Sequence, residues 1–236
     1  RIIDASTAHR TKDDWTYGFP ELSKEQREKI AGTKRLANPG CHATGVISTT
    51  APLVNMGILP KDYPLTAYSL TGYSGGGKGM IADYEGADKT ELMNSPAIYG
   101  LTLRHKHVPE ITKIAGLDHA PVFMPVVDDY YKGMASTIML QNRLLNGTPS
   151  AEEICKRLQE YYADAHFVSV CEFGKNDSKL YANKLAGTNK LEIVVCGNEE
   201  NTSITAMFDN LGKGASGAAV QNMNIMLGLD ERTGLE

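Results

Sequence analysis

The chain has 236 residues, of which 42% are hydrophobic and 22% are charged, a balance typical of a globular protein with one large domain or two smaller ones. Its 24 Lys and Arg against 28 Asp and Glu give a net charge of −4, so it has no general attraction for nucleic acid or for anionic membranes. No apolar run approaches the roughly 20 residues that span a bilayer. We therefore expect no nucleic-acid or membrane partner.

The predicted elements alternate along the chain. Residues 1–6 have the composition of a buried strand that runs into a loop, and Ser23 with Gln26 predicts the start of a helix that ends near residue 31. The remaining predictions are strands at 33–36 and 65–73, helices after Cys41 and from Val108, neighbouring antiparallel strands at 120–127 and 134–141, a helix at 150–162, strands at 165–170, 190–196 and 203–208, and a last helix at 214–227.

Cys41 is the first chemical candidate. It follows Asn38-Pro39-Gly40 and directly precedes a stretch of apolar and small residues of helical length. The free amides and the positive end of a helix dipole favour a thiolate, so the pattern predicts a lowered pKa and a nucleophile. The other three cysteines are widely spaced without a CxxC pair, which indicates core residues in a reducing, cytoplasmic compartment.

A second candidate is the segment from Arg104 to Glu110, which holds two imidazoles, a carboxylate and two cations. His105 and His107 would project to one side if the segment is extended, and Glu110 would orient one of the rings from the next turn. General acid–base catalysis is one interpretation of this pattern. A metal site and a solvated basic stretch are the alternatives.

The glycine-rich segment after Tyr73 does not satisfy the phosphate-binding pattern Gly-x-x-x-x-Gly-Lys-Ser/Thr. It is either a flexible turn or an anion nest in which backbone amides and Lys78 face a phosphate or carboxylate. Arg10, in the segment Ser6-Thr7-Ala8-His9-Arg10, is a similar anion candidate.

Taken in order, these motifs resemble the N-acetyl-γ-glutamyl-phosphate reductase family of arginine biosynthesis, and the resemblance runs over essentially the whole chain. The segments that carry it are Asn38-Pro39-Gly40-Cys41-His42-Ala43-Thr44-Gly45, Ser74-Gly75-Gly76-Gly77-Lys78, His105-Lys106-His107-Val108-Pro109-Glu110 and Asp209-Asn210-Leu211-Gly212-Lys213-Gly214-Ala215. Lys78 and Lys106 stand where arginine is usual in the family, and His42 stands where tyrosine is common.

The resemblance implies NADPH-dependent reduction of N-acetylglutamyl 5-phosphate to the 5-semialdehyde and phosphate through a cysteine thioester. Cys41 would be the nucleophile and His107 the acid–base residue. The residues expected to bind substrate are Arg10, Ser74, Gly75, Lys78, Tyr99, His105 and Glu110. Those expected near the cofactor are Ser6, Asn210, Gly214 and Ala215, and no metal is expected.

The fold implied by the resemblance is α/β, with a mixed sheet and helices on one face, like the catalytic and dimerisation domain of glyceraldehyde-3-phosphate dehydrogenase. Residues 1–40 would be the end of a Rossmann-type NADP-binding domain, residues 41–208 the catalytic and dimerisation domain, and residues 209–236 a helix that returns to the first. The sequence has no Gly-x-x-Gly-x-x-Gly after a strand near its start and no initial Met. We therefore expect part of a longer enzyme, a homodimer or homotetramer, whose activity as this chain alone is in doubt.

Two other functions remain open from the sequence. A related acyl-phosphate reductase, either aspartate-semialdehyde dehydrogenase or the aminoadipyl-phosphate reductase of lysine synthesis, would keep Cys41 and a histidine but change the groups that bind the substrate tail. A non-enzymatic dimerisation scaffold without cofactor is the second alternative. Only an enzyme has a need for a reactive thiol at Cys41.

Overall fold

The computed structural model describes residues 1–236 and contains ten strands in two sheets. The strands are β1 (Ile2–Asp4), β2 (Thr16–Tyr17), β3 (Arg35–Ala37), β4 (Thr66–Gly72), β5 (Ala97–Ile98), β6 (Val122–Asp128), β7 (Met134–Gln141), β8 (Val168–Val170), β9 (Leu191–Gly197) and β10 (Asn201–Phe208). The helices are α1 (Lys24–Gly32), α2 (Cys41–Asn55), α3 (Gly77–Glu85), α4 (Val108–Ala115), α5 (Ala151–Tyr161) and α6 (Gly217–Leu227).

The larger sheet is mixed and has the strand order β5-β6-β4-β7-β10-β9-β8. β4 pairs in parallel with β6 and antiparallel with β7, and β10 lies antiparallel between β7 and β9. The expectation that 120–127 and 134–141 pair with each other is wrong, because β4 lies between them. Two strands close in sequence often pair, but here an earlier strand satisfies the backbone groups of both.

One face of this sheet is covered by helices. Alternate residues of the strands, such as Ala67, Phe123 and Ile138, share a single core with side chains of α2, α4 and α5. α2 lies deepest and is buried from His42 to Leu53, which agrees with its lack of charged residues. The predicted mixed sheet with helices on one face is confirmed.

A proline lies inside α2 and its missing N–H is compensated. Pro52 has no backbone donor for the carbonyl of Ser48, one turn earlier. The hydroxyl of Tyr162, just beyond the end of α5, donates to that carbonyl at 2.8 Å. The side chain of Tyr162 is buried, so this bond joins α5 to α2 in the core as well as satisfying a buried acceptor.

The smaller sheet has the order β1-β3-β2, with all pairs parallel. Its core is separate from the large one and consists of Ile30, Leu36, Ile225 and Met226. The last helix, α6, therefore packs back onto the amino-terminal strands and onto α1. No helix has both the length and the hydrophobicity that crossing a bilayer requires.

A buried ion pair joins the start of the carboxy-terminal region to the amino-terminal one. Lys213 lies in a π-helical turn at Gly212–Ser216 that precedes α6, and its Nζ donates at 2.6 Å both to Glu21 and to Gln221. The side chains of Lys213 and Glu21 are 2% and 4% exposed. The rings of Phe19 and Phe167 lie 5.4 and 5.8 Å from the ammonium group, so the charge is enclosed by protein.

We expect Lys213→Met to lower the free energy of unfolding by about 3–5 kcal/mol, because it leaves the buried Glu21 carboxylate without a countercharge. Urea unfolding followed by circular dichroism measures the change. Lys184→Met is the matched control, since Lys184 pairs with Glu192 at 2.6 Å but is 46% exposed, and it should cost at most about 1 kcal/mol. Equal losses in the two variants would contradict the prediction.

Candidate functional site

Cys41 is the first residue of α2 and lies at the floor of a cleft of about 240 Å³ between the two sheets. The extended backbone of Gly40, at φ −82° and ψ 148°, precedes the helix, so the helix starts without a side-chain cap. The backbone amide of His42 is directed at the sulfur. The predicted helix after the cysteine is confirmed, and Cys41 itself is partly exposed to the cleft.

The turn before Cys41 is held by a buried carboxylate. Glu110 Oε1 accepts hydrogen bonds from the Gly40 amide at 2.9 Å and from the Tyr17 hydroxyl at 2.7 Å. Its Oε2 pairs with Arg10 Nη1 at 3.1 Å. Burial raises the pKa of Glu110, and the Arg10 guanidinium acts against that rise. The expected bond from Glu110 to an imidazole is absent, because both carboxylate oxygens are committed to these three donors.

Gly40 also allows His107 to approach. A Cβ on Gly40 would lie 2.5 Å from Nε2 of His107 and would overlap Nη1 of Arg10. No side chain other than hydrogen fits there without moving both groups. The imidazole of His107 therefore lies against the peptide segment that precedes Cys41, while its buried Nδ1 has no hydrogen-bond partner.

Three imidazoles form one cluster at the cleft. The ring centroids of His105 and His107 are 4.9 Å apart, and His42 lies 5.2 Å from His105 and 5.7 Å from His107. Burial is the main cause that lowers the pKa of each ring, to about 3 for His42, about 4 for His105 and about 2 for His107, and the neighbouring rings and Lys106 add to it. All three rings are therefore neutral near pH 7 in the free protein.

The pKa of Cys41 does not follow the expectation from the sequence. Burial, the largest cause, raises the pKa of the thiol. The amide of His42 and the cations of Lys106 and Arg10 lower it, but they do not outweigh the loss of water. The expected lowering of the pKa by the helix start is thus wrong for the free protein, in which the neutral thiol is the favoured form.

The cations of the site differ from those expected. Arg10 lines the cleft but is 8% exposed, and besides Glu110 it donates to the carbonyls of Asn38 at 2.9 Å and Ala5 at 2.8 Å. Lys106 lines the cleft and is exposed. Lys78 does not line it, because Gly77 at φ +73° directs the chain into α3 and Lys78 is exposed on the first turn of that helix.

The glycine-rich segment is helical. Tyr73–Gly76 forms a 3₁₀ turn that continues into α3, so the segment has regular structure, and Lys78, which the anion-nest alternative requires, lies on the exposed first turn of that helix. Gly75 lines the cleft. Ser74 is buried beneath it and accepts a hydrogen bond from Asn210 Nδ2 at 3.0 Å.

The start of the carboxy-terminal helical region also lines the cleft. Asn210, Gly214 and Ala215, which the resemblance places near the cofactor, line the cleft. A Cβ on Gly214 would lie 3.1 Å from Cβ of Cys41, so this backbone packs directly against Cys41. Ser6 is exposed and bonds to Asp4 at 2.6 Å, and its neighbour Ala5 is the residue that lines the cleft.

Four residues predicted from the sequence to belong to the site, Cys41, Tyr99, His105 and His107, all line the cleft. His42 also lines the cleft but was not predicted to belong to the site. His42 is buried next to Cys41 and bonds to Tyr99 at 2.7 Å. The departure from the tyrosine common at this position was the available signal. No set of three His, Cys, Asp or Glu side chains is arranged to hold a metal ion.

Comparison with known proteins decides the family. Relatives named N-acetyl-gamma-glutamyl-phosphate reductase are 45% identical in Burkholderia cenocepacia, over 97% of this chain and 74% of that protein, and 44% identical in Nostoc sp., over 100% of this chain and 76% of that protein. One named N-acetyl-gamma-glutamyl-phosphate reductase 2, from Pseudomonas putida, is 47% identical over 97% of this chain and 74% of that protein.

The chain belongs to the N-acetyl-gamma-glutamyl-phosphate reductase family. A family model described as semialdehyde dehydrogenase, dimerisation domain, matches residues 41–210. Solved aspartate-semialdehyde dehydrogenases share the fold of this reductase family member. The Vibrio cholerae enzyme has a TM-score of 0.71 and 16% sequence identity, and the match covers 96% of this chain and 72% of that enzyme. The Francisella tularensis enzyme has a TM-score of 0.70 and 14% sequence identity, and the match covers 95% of this chain and 74% of that enzyme.

We expect alkylation of Cys41 by iodoacetamide to be slow at pH 7 and to accelerate up to and beyond pH 9, because burial raises the pKa of the thiol. Quenched-flow labelling followed by peptide mass spectrometry measures the rate at Cys41 separately from the other three cysteines. A rate that is fast and independent of pH between 6 and 9 would indicate a thiolate in the free protein and would contradict this prediction.

Proposed function

We propose that this chain carries the substrate-capturing site of an NADPH-dependent reductase that converts N-acetylglutamyl 5-phosphate to N-acetylglutamate 5-semialdehyde and phosphate, a step of arginine biosynthesis. The observation that carries the proposal is the position of Cys41, at a helix start in a cleft beside neutral His107. Relatives named for this reaction, at 44–47% identity, favour it over aspartate-semialdehyde dehydrogenase, for which the likeness is one of fold at 14–16%.

Binding of substrate would activate the thiol. An acyl phosphate brings negative charge into a cleft lined by Arg10, Lys106 and three neutral imidazoles. A nearby anion favours the protonated form of an imidazole, so the pKa of His107 rises when the substrate binds. His107 then accepts the proton of Cys41, and the sulfur becomes nucleophilic at the moment when its target is in place.

The sulfur attacks the carbonyl carbon of the acyl phosphate. A C–S bond forms, the C–O bond to phosphate breaks, and the phosphate leaves with that electron pair, which gives a thioester on Cys41. Lys106 is the exposed cation beside the cleft and is suited to hold the phosphate before it departs. Arg10 has one free N–H on each terminal nitrogen, beyond the bonds that fix it, for a second contact.

The part of the cleft lined by glycines would hold the nicotinamide end of the cofactor. Gly75, Gly76 and Gly214 line the cleft with backbone and no side chain, and a Cβ at Gly214 would lie 3.1 Å from Cβ of Cys41. Asn210 and Ala215 would border the ring. When bound, the nicotinamide supplies the hydride that reduces the captured carbonyl. His107 holds the proton that neutralises charge on the carbonyl oxygen, and cleavage of the C–S bond returns Cys41.

The domain organisation proposed for this enzyme is 1–40 as the end of an NADP-binding domain, 41–208 as the catalytic and dimerisation domain, and 209–236 as the returning segment. The separate small core of Ile30, Leu36, Ile225 and Met226 supports this division. Four free cysteines support a reducing, cytoplasmic compartment.

The protein as it is naturally encoded should oxidise NADPH in the presence of N-acetylglutamyl phosphate. Cys41→Ser should lose at least about 10³-fold in kcat, because the hydroxyl is a much weaker nucleophile. His107→Asn should lose about 10²–10⁴-fold, because no base takes up the thiol proton. Stopped-flow absorbance at the NADPH band measures both.

The matched control is Cys196→Ser, a partly exposed cysteine outside the cleft, which should keep the wild-type rate. Aspartyl phosphate and aminoadipyl phosphate are tested in parallel as competing substrates. Turnover by Cys41→Ser near the wild-type rate, or a higher kcat/KM with either competing substrate, would overturn the proposal.

We also propose that two copies of the chain associate through the open face of the large sheet. The side chains that point away from the helices include Val122, Met124 and Met139, which are 49%, 40% and 43% exposed. Tyr68, paired with Met124, adds an aromatic ring to the same face. Exposed large apolar side chains on one sheet face are typical of a protein–protein interface, and the match to a dimerisation domain supports a second copy as the partner.

A double variant, Met124→Glu with Met139→Glu, should dissociate the assembly, because four carboxylates would be buried without countercharges in each dimer. Size-exclusion chromatography with light scattering should give the wild type a mass of two or four chains and the variant a mass of one. The control Met223→Glu, at an equally exposed methionine of α6 (43%), should keep the wild-type mass. A monomeric wild type would refute the proposal.

A further inference from the structure

An unbroken chain of four side chains runs from the interior of the large sheet to the cleft. Ser136 Oγ on β7 lies 2.7 Å from Ser69 Oγ on β4, and Ser69 Oγ lies 2.8 Å from Nδ1 of His42. Nε2 of His42 lies 2.7 Å from the hydroxyl of Tyr99. Ser136, Ser69 and His42 are 1%, 0% and 3% exposed, whereas Tyr99 is partly exposed and lines the cleft.

The direction of the hydrogen bonds follows from counting protons. A neutral imidazole donates at one nitrogen and accepts at the other. If Tyr99 donated to His42, then Nδ1 would donate to Ser69, Ser69 would donate to Ser136, and the proton of Ser136 would need a further acceptor. Ser136 Oγ has no partner other than Ser69, so that arrangement leaves a buried hydroxyl proton without an acceptor.

The opposite direction satisfies every buried group. Ser136 donates to Ser69, Ser69 donates to Nδ1, and the Nε2–H of His42 donates to the oxygen of Tyr99. The phenolic proton of Tyr99 is then the only one without a partner in the chain, and it is at the cleft. Burial and the neighbouring Cys41 both raise the pKa of Tyr99, so the phenol keeps this proton throughout the working pH range.

We propose that His42, oriented by Ser69 and Ser136, is a positioning residue that fixes the Tyr99 hydroxyl as a hydrogen-bond donor to the carbonyl oxygen of the acyl group held on Cys41. This inference rests on the proposed function. Tyr99 is then a catalytic residue that stabilises negative charge on that oxygen, and a donor held in place before the reaction costs little reorganisation when charge develops. No covalent bond to Tyr99 or His42 forms.

The first test is independent of turnover. Nitrogen-15 NMR of histidine-labelled protein should show His42 protonated at Nε2 and unprotonated at Nδ1, and Ser69→Ala should change the Nδ1 resonance by removing its donor. The control Ser48→Ala, a buried serine of α2 whose hydroxyl bonds to the Gly45 carbonyl, should leave it unchanged. A His42 ring protonated at Nδ1 in the wild type would overturn the inference even if the reductase activity is confirmed.

The second test uses kinetics with N-acetylglutamyl phosphate. Tyr99→Phe should lower kcat about 10²-fold with KM changed by less than about threefold, because the lost bond is made mainly as charge develops on the oxygen. His42→Phe should give a similar loss, and His42→Gln, whose amide can still donate to Tyr99, should recover most of it. Circular dichroism and thermal melts check that each variant folds.

The double variant separates positioning from a merely structural role. If His42 acts through Tyr99, then His42→Phe should have no further effect on kcat once Tyr99 is Phe. If the kcat loss of the double variant equals the product of the two single losses, the inference is refuted. Absence of any reductase activity in the folded wild type would refute the proposed function, while the tautomer of His42 would still decide the hydrogen-bond direction.

Discussion

The Glu110 carboxylate is the interaction on which the site depends. Its two oxygens accept from the Gly40 amide, the Tyr17 hydroxyl and the Arg10 guanidinium, so one buried group fixes the turn before Cys41, the end of β2 and the loop after β1. A buried carboxylate is tolerated only when such donors replace water. Cys41 is therefore positioned by the backbone of its own turn.

Much of the fold was predictable because the signals are local. The capping box of Ser150 and Glu153 marks the start of α5, and both of its reciprocal bonds form. The pairing of β6 and β7 was predicted wrongly, because insertion of β4 between them is a long-range event that no local pattern encodes. The local sequence thus predicts the strands β6 and β7 themselves but not which strands lie beside them in the sheet.

The candidate site shows the same limit at the level of chemistry. Residue types identified Cys41 and His107, whereas the pKa of the thiol depends on how much water the fold removes around it. Glu110 was assigned to an imidazole from its spacing, but its partners come from segments 70 or more residues away in sequence, such as Gly40 at a separation of 70. Lys78 and Lys106 are equally good cations in the sequence, and only the turn at Gly77 decides which of them reaches the cleft.

The two faces of β4 have different surroundings, because successive side chains of a strand point in opposite directions. Ser69 points toward the helices and holds His42, whereas Tyr68 and Leu70 point to the open face. A second copy bound to that open face, as proposed, would contact the same strand that carries the Ser69 hydroxyl. If the proposed dimer and the proposed role of Tyr99 hold, a single strand separates the subunit contact from the hydrogen bonds that orient Tyr99, and a partner that shifts β4 would then alter the site from a distance.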